Sequence, residues 1–259
     1  HPARELITKR ALKHRRALVH QALERLAENA AEAEEPDADD APPPEPEAVL
    51  EKPIRLHDLR LDTVATVLKE AGAATVLDLG CGEGKLMRRL LKERWVERLL
   101  GVDPSVRTLE VAARRLHLDT AGERMRERVG LQMGSLTYGD RRWQGFDAAT
   151  LVEVIEHIDP ARLSALELSL FADARPRLVA VTTPNREYNA LFEGMAHGSM
   201  RHPDHRFEWT RAEFEGWGSR VAAAHGYAVA FHPIGPLDET HGAPSQMAVF
   251  TRSTAEVEP

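Results

Sequence analysis

Residues 201–210 read RHPDHRFEWT: two histidines, two arginines, an aspartate, a glutamate and two aromatic rings. The stretch is too polar for a core and too aromatic for an ordinary solvated loop. A second concentration of chemistry lies earlier, in LVEVIEHID at residues 151–159. There Glu153, Glu156 and His157 stand at i, i+3 and i+4, which one helical turn would gather on one face. Two carboxylates beside an imidazole suit Mg²⁺, Mn²⁺ or a similar ion. The same histidine can instead serve as a general base or simply pack. His205 is the candidate fourth ligand. The segment after the fifth strand of an open α/β sheet faces the C-terminal edge, where such sheets bind ligands. Four such donors leave two adjacent positions on an octahedral ion, enough to chelate two vicinal hydroxyls.

A third cluster is the glycine loop VLDLGCGEGK, residues 76–85, with Asp78, Gly80, Gly82 and Gly84 at the end of an apolar run. The glycines let backbone approach a ligand closely, and the helix that follows offers unpaired N–H groups. Its third glycine comes one residue earlier than in the dinucleotide fingerprint, and no Lys-Ser/Thr pair follows to make a nucleotide P-loop. Asp103 ends the next apolar run, LLGVDPS.

These residues need a scaffold that brings loops to one edge. Apolar runs of strand length (ATVLDLG, VERLLGVD, VGLQMGS, FDAATLVEV, PRLVAVTTPN) alternate with helical patterns (LRLDTVATVLKEAG, GKLMRRLLKER, SVRTLEVAARRL, ARLSALELSLFA, RAEFEGWGSRVAAAHG). Two further strands, YAVAFHPIG and SQMAVFTRS, follow without a helix between them. The alternation predicts an α/β doubly wound parallel sheet with one antiparallel strand added. Ahead of it, residues 1–30 read as an amphipathic helix, with seven basic against three acidic residues. Residues 31–51 carry nine carboxylates, no base and several prolines, the composition of a disordered linker. The main domain is expected over residues 52–259.

Hydrophobic content of 42% and charged content of 29% are those of an ordinary globular protein. No apolar run of membrane-spanning length or signal-peptide h-region is evident. The initial residue is His rather than Met, which suggests a piece of a longer chain. A single cysteine, Cys81, excludes an internal disulfide and suits a reducing cytoplasm. The net charge of −7 argues against long duplex contacts, which need many phosphate neutralisations, yet leaves a nucleic-acid end open as a partner.

The glycine-loop spacing and Asp103 resemble the class I S-adenosylmethionine-dependent methyltransferases. That resemblance implies a loop wrapped around the amino-acid end of the cofactor, Asp103 on its ribose, and Gly134, Ser135 and Leu136 against its adenine. Three motifs in order, EVIEHID, TTPNREYN and RHPDHRFEWTRAEF, are similar to the 3′-terminal RNA ribose 2′-O-methyltransferases across residues 52–252. The family contains small-RNA methyltransferases of plants and animals and a bacterial RNA-repair branch. It implies Glu153, Glu156, His157 and His205 as the holders of a divalent ion, Mg²⁺ or Mn²⁺, with the vicinal hydroxyls supplied by the 3′ end of an RNA. Proton removal from the 2′-hydroxyl would fall to His157 or to bulk water. His202 receives no role from the family and reads as solvent-facing or RNA-proximal. Arg201 and Arg206 are candidates for the last phosphates, and Phe207 and Trp209 for stacking or for the core. Without duplex-binding additions, the chain is more similar to the bacterial branch, whose partner is a polynucleotide kinase–phosphatase–ligase. Two rival readings are a catechol-type small-molecule O-methyltransferase and a non-catalytic docking subunit.

Overall fold

The computed structural model describes residues 46–196 and 198–252, so the expected N-terminal helix over residues 1–30 and the linker up to residue 45 lie outside the described residues. β-Branched and aliphatic runs make seven strands: β1 (Thr75–Leu79), β2 (Arg98–Asp103), β3 (Val129–Met133), β4 (Ala148–Val152), β5 (Leu178–Pro184), β6 (Tyr227–Ile234) and β7 (Ser245–Arg252). They form one sheet in the order β3-β2-β1-β4-β5-β7-β6. Strands β1 to β5 pair in parallel, and β7 runs antiparallel to both its neighbours. This is the doubly wound arrangement with one reversed strand that the alternation predicts. The reversal of strand order between β1 and β4 creates the crevice where such sheets bind ligands.

Among the described residues the α-helices are α1 (Pro46–Glu51), α2 (Leu56–Glu70), α3 (Lys85–Leu90), α4 (Val106–Arg115), α5 (Glu123–Arg128), α6 (Leu163–Glu167) and α7 (Arg211–His225). Helix α7 starts on a full capping box, with Thr210 and Glu213 each bonded to the other's backbone, and ends on Gly226 at φ 74°. Two apolar layers cover the sheet, one around Trp143, Phe171, Phe214 and Phe250, the other around Leu56, Leu68, Leu77's neighbour Val76 and Met87. Phe171, Phe214 and Phe250 are almost fully buried, each worth roughly 2–3 kcal/mol of transfer free energy.

Three expectations need correction. Residues 46–51, assigned by composition to the linker, form helix α1, and its Glu51 is only 4% exposed. The domain therefore begins before residue 52. The helix expected over ARLSALELSLFA is regular only through α6 and then widens into a π turn across Leu168–Ala174. Helix α5 had no counterpart in the apolar pattern, because none of its residues is buried.

Candidate active site

Chain reversals at the C-terminal edge of β1, β2, β3 and β4 surround a cavity of about 700 Å³ lined by Gly80, Asp103, Ser135, Leu136, Glu153 and His157 among others. Gly80 lies at φ 75°, and a Cβ there would stand 2.5 Å from Val154 Cγ2, so this position admits only glycine without rearrangement. Gly82, also left-handed, donates its N–H to Asp103 Oδ2 at 3.0 Å, while Ser105 N–H donates to Oδ1 at 2.9 Å. Each oxygen retains acceptor capacity for a ligand hydroxyl. Asp78 does not line the cavity. It is buried beneath the loop, accepts from Thr150 Oγ1 at 2.8 Å, and burial pushes its pKa up to about 7.

The EVIEH segment reaches its position differently from the expected helical turn. Glu153 adopts φ 55°, a left-handed conformation that costs a non-glycine residue about 1 kcal/mol or more. The tight turn that follows spans only Ile155–His157. Glu153 is instead fastened from three sides. Its N–H donates to Thr182, its Oε1 accepts from Thr182 Oγ1 at 2.8 Å, and its Oε2 lies 2.7 Å from Arg60 Nη2. Glu156 is fully buried; Oε2 accepts from Thr183 Oγ1 at 3.0 Å, and Oε1 has no hydrogen-bond partner.

The RHPDHRFEWT stretch docks on this turn: Arg206 N–H donates to the Glu156 carbonyl at 2.7 Å. The His205 ring centroid then lies 4.8 Å from that of His157. His205 is 3% exposed, its Nδ1 is 2.6 Å from Glu208 Oε1, and its Nε2 has no hydrogen-bond partner. A carboxylate on Nδ1 fixes the tautomer that leaves Nε2 as an available lone pair. His202, expected at the surface, is half-buried and joins this pair; ring nitrogens of His157, His202 and His205 lie within 4.8 Å of one another. Two of the four expected ligands, His157 and His205, thus stand together with His202, whereas Glu156, with its Oε1 unpartnered, lies outside that group and Glu153 shares its carboxylate with Arg60.

Arg201 makes no surface contact that an RNA phosphate would need. Its side chain is fully buried and donates to Asn189 Oδ1, Glu51 Oε1 and the carbonyls of Asn185 and Pro244. Arg206 is exposed and lines the cavity. Phe207 and Trp209, 4.4 Å apart, pack against the core cluster.

Sequence reasoning missed Arg60, Glu51, Glu47 and the role of Glu208. Arg60 donates to both oxygens of Glu51 at 2.6 and 2.7 Å. Its signal was present, an arginine within the buried stripe Leu56, Arg60, Leu61, Val64 and Leu68 of α2. Five carboxylates, Glu47, Glu51, Glu153, Glu156 and Glu208, thus surround two guanidiniums, Arg60 and Arg201. Burial, then repulsion from Glu153, holds Glu156 well above the usual carboxylate range. Burial, then Glu51 and Glu153, pushes Glu47 up to about 8. A buried negative excess of this kind is relieved by protonation or by a bound cation. The unpartnered Glu156 Oε1 and His205 Nε2 fit the second. Burial, then His205 and His202, lowers His157 to about 4, so its imidazole is neutral and able to donate a lone pair at neutral pH.

A profile described as a methyltransferase domain matches residues 11–227. The methyltransferase domain of bacterial CtHen1 is 49% identical, with a TM-score of 0.70 over 76% of this chain and 99% of that one. The chain belongs to the small-RNA 2′-O-methyltransferase family. The mouse (Mus musculus) small RNA 2′-O-methyltransferase is 34% identical to this methyltransferase domain over 216 residues, 80% of the chain. The chain spans about half, 54%, of that relative's length. A solved Pnkp1/Rnl/Hen1 RNA repair complex contains a similar fold, 26% identical with a TM-score of 0.55, covering 76% of this chain and 42% of that one. Fold and family are those of S-adenosylmethionine-dependent methyltransferases. Among the described residues no helix is long and apolar enough to cross a membrane.

Proposed function

We propose that this domain transfers a methyl group from S-adenosylmethionine to the 2′-oxygen of the 3′-terminal ribose of an RNA, assisted by a divalent ion such as Mg²⁺ or Mn²⁺. The observation that carries the reading is the continuity of two sites. Glu153 and His157 line the cofactor cavity, and behind them stand the unpartnered Glu156 Oε1 and His205 Nε2 in a field of excess carboxylate. Glu153, Glu156, His157 and His205 are the residues that would hold the ion, which supplies charge neutralisation and a lowered pKa for a hydroxyl bound beside it.

The chain's own groups do the positioning. Asp103 receives the cofactor's ribose hydroxyls, and Ser135 and Leu136 form the wall where the adenine rests. Gly80 lets the backbone approach the amino-acid end. The sulfonium is already activated, so in-line placement of the attacking oxygen contributes most of the acceleration. His157, kept neutral by burial beside His205 and His202, would offer its lone pair to the ion, and the 2′-proton would then leave through water. Similarity to a chain in the Pnkp1/Rnl/Hen1 RNA repair complex supports a bacterial RNA-repair setting with a kinase–phosphatase–ligase partner.

The test is incubation with methyl-labelled cofactor, Mn²⁺ and oligonucleotides ending in ribose, 2′-deoxyribose or a 3′-phosphate. Label on the ribose-ended RNA alone supports the reading. Label on the deoxyribose end, or on no RNA at all, overturns it.

A further inference from the structure

Helix α1 carries a side chain that the four-residue ligand set omits. Glu47 Oε2 lies 3.7 Å from His205 Nε2, and Glu47 Oε1 lies 3.8 Å from Arg60 Nη2. Neither distance is a hydrogen bond. Among the described residues, the buried side-chain atoms with no hydrogen-bond partner are Glu47 Oε1, Glu156 Oε1, His205 Nε2 and Trp143 Nε1, together with Glu153 Oε2, whose contact is the 2.7 Å ion pair to Arg60. Apart from the tryptophan, which belongs to the core around β3, these atoms cluster. Glu47 Oε1 and Glu153 Oε2 flank the same Arg60 nitrogen, and Glu47 faces His205 Nε2. His205 and Glu156 are 3% and 0% exposed, so the unpartnered atoms are aimed into the protein rather than into solvent.

Among the described residues, the ion-pair neighbours of Glu47 are distant and shared, Arg60 at 3.8 Å and His205 at 3.7 Å. Arg60 is committed to Glu51 through both terminal nitrogens, at 2.6 and 2.7 Å, and to Glu153 at 2.7 Å. Arg201 is committed to Glu51, Asn189 and two carbonyls. Glu47 and Glu51 stand at i and i+4 on one face of α1, a spacing at which like charges repel. The anchoring of Glu51 by the two arginines holds Glu47 there regardless. Such an arrangement persists where a further positive charge is expected.

We propose that Glu47 is a fifth protein donor to the divalent-cation site, delivered by helix α1 opposite His205. The proposal rests on the metal-dependent reading above and extends it.

The experiment measures Mn²⁺ binding to the full chain by calorimetry and by the EPR signal of free Mn²⁺, together with thermal melts with and without the ion. In E47Q, Mn²⁺ affinity falls by about tenfold, the scale on which groups around a metal act. The metal-free melting temperature is unchanged, because glutamine keeps the side chain's shape and the 3.7 and 3.8 Å contacts of Glu47 are not hydrogen bonds. E47D, whose carboxylate is one methylene shorter, falls between E47Q and the wild type. E47Q affinity within twofold of wild type overturns the proposal, as does a loss matched by an equal loss of metal-free stability. Should E47Q fail to fold, E47D decides, and wild-type affinity in that variant is again fatal. His205→Ala separates the two readings. Loss of Mn²⁺ binding in His205→Ala but not in E47Q rejects Glu47 alone, whereas a wild-type chain that binds no Mn²⁺ rejects the metal site altogether.

Discussion

Glu208 is fully buried as a side chain and accepts three bonds: from His205 Nδ1 at 2.6 Å, from Arg201 N–H at 2.6 Å and from Asn189 Nδ2 at 2.5 Å. Replacing it with alanine strands three buried donors. At about 1–3 kcal/mol for each unsatisfied group, the loss consumes much of a domain's stability of roughly 5–15 kcal/mol. Glu208→Gln is the more informative change. Its carbonyl oxygen still accepts from His205 and Arg201, while its NH₂ opposes Asn189 Nδ2, so one contact turns repulsive at about 1–3 kcal/mol. The imidazole keeps a neutral acceptor in place of a charged one, which weakens that bond by roughly half. Nε2 then becomes a poorer and less firmly aimed donor, and affinity for a divalent ion falls by about ten- to a hundredfold. Urea unfolding gives the stability term and Mn²⁺ calorimetry gives the binding term. A Glu208→Gln protein that binds Mn²⁺ like wild type, alongside a His205→Ala protein that does not, would refute the claim that the carboxylate orients the ligand.

Gly80→Ala places a Cβ 2.5 Å from Val154 Cγ2 at a left-handed φ, so a loss of about 2–5 kcal/mol and weaker binding of S-adenosylhomocysteine are expected. Adding Val154→Ala relieves only the clash, and full recovery in the double variant would show that the backbone conformation carries no cost. Stability without metal should also fall as pH rises from about 6.5 to 8.5. Glu47, at about 8, and Glu156 are raised above their unfolded values, so their contribution is complete below the unfolded pKa and is lost as pH climbs through the folded one. His57 and His157, both lowered to about 4, act with the opposite sign but only below the ordinary histidine pKa near 6.5. Thermal melts at pH 6.5 and 8.5 check this, with Mn²⁺ raising the melting temperature more at the higher pH; a flat or rising metal-free profile contradicts it.

The glycine loop and Asp103 were legible because each demands a residue type: only glycine tolerates the contact at position 80, and only an acid serves paired hydroxyls. The strands were legible because a buried parallel sheet writes itself as continuous aliphatic runs. Glu153 was misplaced for a physical reason. Its spacing to Glu156 and His157 is helical, but the left-handed φ at 153 is imposed by Thr182 on β5 and Arg60 on α2, which local sequence does not report. Helix α1 was hidden by averaging. The prolines and carboxylates of residues 31–45 set the composition of the whole tract, and the glutamates at 47 and 51, four apart as on a helix face, read as more of the same. Arg201 looked like a phosphate contact because an arginine beside histidines near an RNA site suggests one. Its partners, two carbonyls, an asparagine and Glu51, are distributed over 150 residues of sequence separation.

The placement of the two buried arginines explains why the site needs both halves of the domain. Arg60 comes from α2, ahead of β1, and Arg201 from the loop after β5, yet both converge on Glu51. Glu51 is therefore held below the ordinary carboxylate range by Arg60 and Arg201 against the cost of burial. Glu156, with no arginine, is driven the other way. Charge is thus sorted within one cluster: Glu51 and Glu208 are compensated and fasten the scaffold, while Glu156 and Glu47 are left raised. A site built only for stability would pair every buried acid, because an unpaired one costs several kcal/mol. The retained imbalance lies beside the cofactor cavity, where a cation and a hydroxyl can make use of it.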